Sequence, residues 1–177
     1  MPTLRLLTFL IALPALFLAL ACSIQRTGTD ASFKDQVQKA LEKADLKDVT
    51  VSEDRDKNTI TLGGKLHSEE AKTQAGRVAQ SAAGNRVIAN EISVQPVGSE
   101  SQARDVASNL DDGIEKNYKA ELISKRLDKQ HIRFDAKNGV LTLKGSVQTD
   151  AERQEAQTLA HNTPNVQQVV NQIDVKR

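Results

Sequence analysis

The chain has 177 residues, with 24 Lys and Arg against 23 Asp and Glu and a formal net charge of +1. It holds no Trp, one Tyr, four Phe and one Cys. Near-neutral charge excludes a general nucleic-acid binder, the few aromatics leave no stacking platform for bases, and a lone cysteine excludes an intrachain disulfide.

The N-terminus reads as an export signal. Arg5 is followed by an uncharged apolar run over 6–21. That run falls short of the roughly 20 residues a membrane-spanning helix needs, and Pro14 weakens a span further. It ends Leu18-Ala19-Leu20-Ala21-Cys22. Small or apolar residues directly before the only cysteine resemble the bacterial lipobox, in which the thiol is diacylated and the cysteine becomes the new N-terminus. The resemblance implies a signal peptide over 1–21 and a covalent diacylglycerol and N-acyl chain on Cys22, with no other cofactor. Two or more acyl chains anchor stably where one would be marginal. A plain signal cut after an Ala, or an uncleaved anchor, are the other readings. Ser23 stands where inner-membrane sorting favours Asp, so it points to the periplasmic face of the outer membrane. Residues 22–30 form a tether whose stretch from Ser23 to Asp30 spans at most roughly 28 Å.

The rest of the chain is one small unit written twice. Thr61-Leu62-Gly63-Gly64-Lys65-Leu66 matches Thr142-Leu143-Lys144-Gly145-Ser146-Val147, and Asn90-Glu91-Ile92-Ser93-Val94 matches Asn171-Gln172-Ile173-Asp174-Val175, both at an offset of 81 positions. In the first helix of each copy, Phe33, Val37 and Leu41, or Ile114, Tyr118 and Leu122, recur every four residues. The next strands alternate. Ile60, Leu62, Gly64 and Leu66 share one face and Thr59, Thr61, Gly63 and Lys65 the other, the pattern of a half-buried antiparallel sheet. The second copy repeats this with Leu141, Leu143, Gly145 and Val147 against Val140, Thr142, Lys144 and Ser146. Asn138-Gly139 is a strong hairpin signal; Asp56-Lys57-Asn58 is the weaker turn of the first copy.

A second helix starts at Ser68, and its counterpart at Thr149 carries Glu152 three places on, a capping box. Ala71, Ala75, Val78, Ala79 and Ala82, against Ala156, Leu159 and Ala160, make a small-residue face that lets the helix lie close on the sheet. Gly64 and Gly145 point to that face and read as structural, where a side chain would block the helix. Asn90 and Asn171, inward on the last strand, read as bonding local backbone. Residues 96–112 form a linker in which Ala103 to Leu110 carry the pattern of one or two extra helical turns.

Asp30, Phe33, Val37, Leu41, Gly64, Ile88, Asn90, Ile92 and Val94, repeated as Asp111, Ile114, Tyr118, Leu122, Gly145, Val169, Asn171, Ile173 and Val175, resemble the BON domain. The expected fold class is α+β: two tandem BON-like αββαβ domains at 31–95 and 113–177, each a three-stranded mixed sheet covered by two helices. A lipobox followed by two such domains is similar to the dual-BON-domain outer-membrane lipoproteins. That resemblance implies a periplasm-facing protein that binds anionic phospholipid through the first helix of its second domain and supports envelope integrity.

The two first helices differ as this implies. Where the first copy has Lys39 and Glu42, the second has Ala120 and Ile123, with Leu127 alongside and Lys116, Lys119 and Arg126 flanking. An apolar strip edged by cations is what an interfacial helix needs, and each such cation near an anionic surface contributes about 1 kcal/mol. Lys116, Lys119, Ala120, Ile123, Arg126 and Leu127 are therefore the candidate phospholipid contacts. The competing reading packs Ile123 and Leu127 between the domains, or rotates the helix so that they face their own sheet.

His67, His131 and His161 do not stand at metal-ligand spacing. No phosphate-binding glycine loop, serine elbow or catalytic cysteine is present, and Glu69-Glu70 and Asp111-Asp112 suit helix starts rather than chemistry. The chain reads as no enzyme. The partners expected are a membrane and its anionic phospholipids, with no nucleic acid. An envelope protein partner stays open, in a scaffold for outer-membrane assembly or secretion, as does an osmotic-stress periplasmic role.

Overall fold

The computed structural model describes residues 32–176. The stretch read as a signal peptide, Cys22 and the whole of the tether, Asp30 included, lie outside them. The first domain runs α1 (Phe33–Lys43), β1 (Val49–Asp54), β2 (Thr59–Leu66), α2 (Glu69–Ala82), β3 (Val87–Asn90) and β4 (Ser93–Val94). The second runs α3 (Glu100–Ser124), β5 (His131–Lys137), β6 (Val140–Val147), α4 (Asp150–Asn162) and β7 (Gln168–Val175). β1 pairs antiparallel with β2, and β3 and β4 follow one another parallel to β2, as two pieces of one interrupted strand. β5, β6 and the unbroken β7 repeat this order. Each sheet is thus mixed: the hairpin makes the antiparallel pair, and the helix between the second and third strands returns the chain parallel.

The two cores superpose at the repeat offset. Val37, Leu41, Ile60, Leu62, Ala75, Ala79 and Ile92 are buried in the first, and Tyr118, Leu122, Leu141, Leu143, Ala156, Ala160 and Ile173 in the second. Each large apolar side chain so buried contributes about 1.5–3 kcal/mol. Tyr118 replaces Val37 and finds a partner for its polar end, donating to the Ala156 carbonyl at 3.2 Å. Its ring meets Phe134 edge-on, with centroids 5.0 Å apart.

The local signals act as chemistry requires. Asn138 and Gly139 both have positive φ, and Lys137 faces Val140, which makes a two-residue hairpin turn. Thr149 and Glu152 form the reciprocal capping box, and the Ser68 hydroxyl accepts from the Ala71 N–H.

Gly64 and Gly145 are structural for a reason other than helix clearance. Their φ values are +103° and +105°, and a Cβ would collide with the carbonyl oxygen of Asp48, just before β1, or of His131 at the start of β5. Glycine alone accepts both that φ and so close an approach of the partner backbone.

The segment 96–112 is mostly helix. α3 starts at Glu100 and runs unbroken for 25 residues, about 37 Å. No proline interrupts it, and Gly113 is carried through the interior with open space around it.

The sheet faces expected to be polar are not free along their whole length. Thr59 and Thr142 are buried, and Ala89, Val140 and Val170 form a small cluster between the domains. The domains meet there along β3 and β7.

Candidate functional site

Lys116, Lys119, Ala120, Ile123 and Arg126 are all exposed. On a helix of about 100° per residue, Lys116, Ala120 and Ile123 share one face, and Ile123 is 53 % exposed. It packs neither between the domains nor on its own sheet. Leu127 does not join this strip; it is 4 % exposed and belongs to the core of the second domain. The cause is local: Arg126 takes a left-handed conformation, φ +60°, and ends the helix. The chain then turns Leu127 inward, as Asp45, also at φ +60°, turns Leu46 in the first domain. What remains is an isoleucine and an alanine edged by three cations.

Asn90 also departs from expectation, and Asn171 does so in part. Asn90 Nδ2 donates to the Lys72 carbonyl in α2 at 2.9 Å, a tertiary bond rather than a local one. Gly76 permits it, since a Cβ there would press on the Asn90 amide. In the second domain the counterpart of Gly76 is Gln157, and Asn171 Nδ2 donates to its side chain at 3.0 Å. Asn171 Oδ1 does accept locally, from the Ile173 N–H.

The domain seam carries features that one copy's pattern does not announce. The Gln168 amide acts as a piece of strand: its Oε1 accepts from the Asn90 N–H at 3.1 Å, and its Nε2 donates to the Ile88 carbonyl. It thereby satisfies the free edge of β3. Each hairpin turn also reaches the last strand of the other domain. Asn138 Nδ2 donates to the Glu91 carbonyl at 2.9 Å, and Lys57 pairs with Asp174 at 2.6 Å. Lys137 pairs with Glu91 at 3.1 Å, and Gln172 Nε2 donates to Thr59 Oγ1 at 2.9 Å.

Lys72 is the most unusual group in the seam. It is 7 % exposed, and its Nζ donates to the Asn138 carbonyl at 3.1 Å. Burial holds its pKa below the ordinary lysine value, opposed by the carboxylates of Glu69 and Asp111. Both Asp111 oxygens are already committed, accepting from the Asn138 and Gly139 N–H groups at 2.7 and 2.9 Å. Among the described residues, no group of three or more His, Cys, Asp or Glu is placed to hold a metal ion. Nor is any helix among them long and apolar enough to cross a membrane.

A family model described as the BON domain matches residues 29–96 and again 110–177. The chain belongs to the BON-domain family. The second BON match begins inside α3, so that helix is shared between the connection and the second domain. The chain is also similar to Osmotically-inducible protein Y of Escherichia coli (strain K12), at 24% identity over 149 residues, covering 83% of this chain and 73% of the relative.

Proposed function

We propose that this tandem BON protein is an envelope lipoprotein, acylated at Cys22 on the periplasmic face of the outer membrane, that binds anionic phospholipid through α3 and supports envelope integrity without catalysing a reaction. The observation that carries the reading is the exposure of Ile123 beside Lys116 and Lys119 on a helix whose opposite face is core, with Arg126 just past the helix end. An apolar side chain flanked by cations inserts at the head-group boundary while the cations meet lipid phosphates. Three cations at about 1 kcal/mol each give modest binding alone. The acyl anchor holds the chain at the surface and raises the effective concentration of the second contact.

Flotation of unacylated protein with vesicles tests this. Recovery with phosphatidylglycerol-containing vesicles and not with phosphatidylcholine vesicles, falling as salt rises, is expected. Equal recovery with both, or none with either, refutes the lipid reading. Acylation is tested separately, by incorporation of labelled palmitate that Cys22→Ser abolishes.

A role in osmotic stress is the second reading. It rests on the similarity to Osmotically-inducible protein Y. Impaired growth of a deletion strain at high osmolarity, restored by the unacylated chain, would favour it.

A further inference from the structure

We propose that the seam between the two BON domains is a second, separate binding site, for a single-chain amphiphile with an anionic head. Two cavities meet at Lys72 and share Glu69, Lys72 and Gln167 as walls. One, of about 390 Å³, has an apolar wall of Val94, Pro96, Ala103, Val106, Leu110 and Ile114. Val106 and Leu110 are 58 % and 45 % exposed there. From Ala103 to Ile114 this wall runs roughly 16 Å along α3, the reach of a medium-length alkyl chain. The other cavity, of about 430 Å³, is lined by Thr73, Arg77, Gln80, Asn90 and Gln168. The two cavities thus adjoin at a buried lysine, with a long apolar wall on the α3 side and more polar side chains, beside Ile88 and Val140, on the other.

The free hydrogen-bond donors at that junction suit an anionic head group. Lys72 gives one of its three N–H bonds to Asn138, leaving two donors for a ligand. Arg77 adds a second cation. The carboxylates of Glu69 and Asp111 also stand near Lys72, and both Asp111 oxygens already accept from backbone N–H groups, so they compete little for its free donors. Asn90 Oδ1 is buried with no protein donor, and a head-group hydroxyl would supply one. One helix-wide apolar wall with one polar end suits a chain carrying one head, in contrast to a peptide with side chains on alternate faces. The cleft is distinct from the Ile123 strip, since Val106 and Leu110 lie roughly 100–140° away from Ile123 around the helix.

The test uses the secreted, unacylated chain from position 22 onward with Cys22→Ser, in which both cores and both sheets are complete. Dodecyl phosphate is titrated below its micelle concentration and followed by amide NMR shifts and calorimetry. Saturable one-to-one binding is expected, with the largest shifts at Lys72, Val94, Val106 and Leu110. Lys72→Met should weaken it about tenfold through loss of charge-assisted bonds. Leu110→Asn, at an exposed position that leaves the core intact, should weaken it about fivefold. Ile123→Glu should leave it unchanged, which separates this site from the vesicle contact. Absence of saturable binding, equal binding of dodecyltrimethylammonium, or shifts centred on Ile123 would overturn the proposal.

Discussion

Replacing Gln168 by Met removes two hydrogen bonds at nearly constant volume. The native amide accepts from the Asn90 N–H and donates to the Ile88 carbonyl, so the variant leaves both groups on the β3 edge without their partner. Each such bond contributes about 0.5–1.5 kcal/mol net, and the site is only partly buried, so a total loss of about 1–3 kcal/mol follows. For a domain of this size, 1 kcal/mol moves the melting temperature by roughly 4–8 °C. Urea unfolding measures the loss, and hydrogen exchange at the Asn90 amide locates it. Gln168→Glu sharpens the test, because it sets an acceptor against the Ile88 carbonyl. Its neutral form, which can donate, is favoured in the fold, so that variant's introduced carboxyl has a raised pKa and the variant recovers stability as pH falls. A loss under about 0.3 kcal/mol with unchanged exchange at Asn90 would refute the strand-edge account, since a single net hydrogen bond already exceeds it.

Two glycines should respond with opposite signs. Gly145→Ala should cost more than about 3 kcal/mol, because φ is +105° and the new methyl meets the His131 carbonyl. Gly113→Ala should stabilise by about 0.5–1 kcal/mol, as the position is helical and open; thermal melts of both variants check the pair. Glu53 accepts from the Ser32 hydroxyl at 2.7 Å and from the Lys34 N–H, beside Arg55 and Arg86, and these hold its carboxyl below the ordinary value. A depressed folded pKa contributes stability above the unfolded value, lost as pH falls through the folded one. Glu53→Gln should therefore flatten the decline of stability below about pH 4.5, measured by urea unfolding at pH 5 and pH 3. Tyr118→Phe should cost about 0.5–1.5 kcal/mol, the net value of its bond to Ala156, with the far-ultraviolet spectrum unchanged.

The repeat made the fold legible. Val37 aligns with Tyr118, Ala75 with Ala156 and Ile92 with Ile173, and each pair is buried. Core positions recur because each domain must close its own sheet. The seam was harder to read because it depends on where the copies differ. Gln168 bridges the domains, yet its counterpart Val87 is exposed. Lys72 is buried, while its counterpart Arg153 pairs on the surface with Asp150. Lys72 lies at the edge of the alanine stripe of α2, about 20° from Ala79, so periodicity leaves its charged end free to reach solvent, and it is the second domain that covers it. Leu127 shows the same limit at short range. A wheel places it near Ile123, but the left-handed turn at Arg126 ends the wheel one residue earlier.

The central claim is that the exposed strip of α3 is the phospholipid contact, and Ile123→Glu tests it most directly. The variant should keep native amide spectra, because Ile123 is 53 % exposed and outside both cores. It removes an inserting apolar side chain and adds a charge of the wrong sign near the lipid phosphates, worth together about 2 kcal/mol, or roughly thirtyfold in partitioning. The account predicts that unacylated Ile123→Glu protein no longer floats with phosphatidylglycerol-containing vesicles at moderate salt, while the unsubstituted protein does. Equal flotation of the two folded proteins would contradict it.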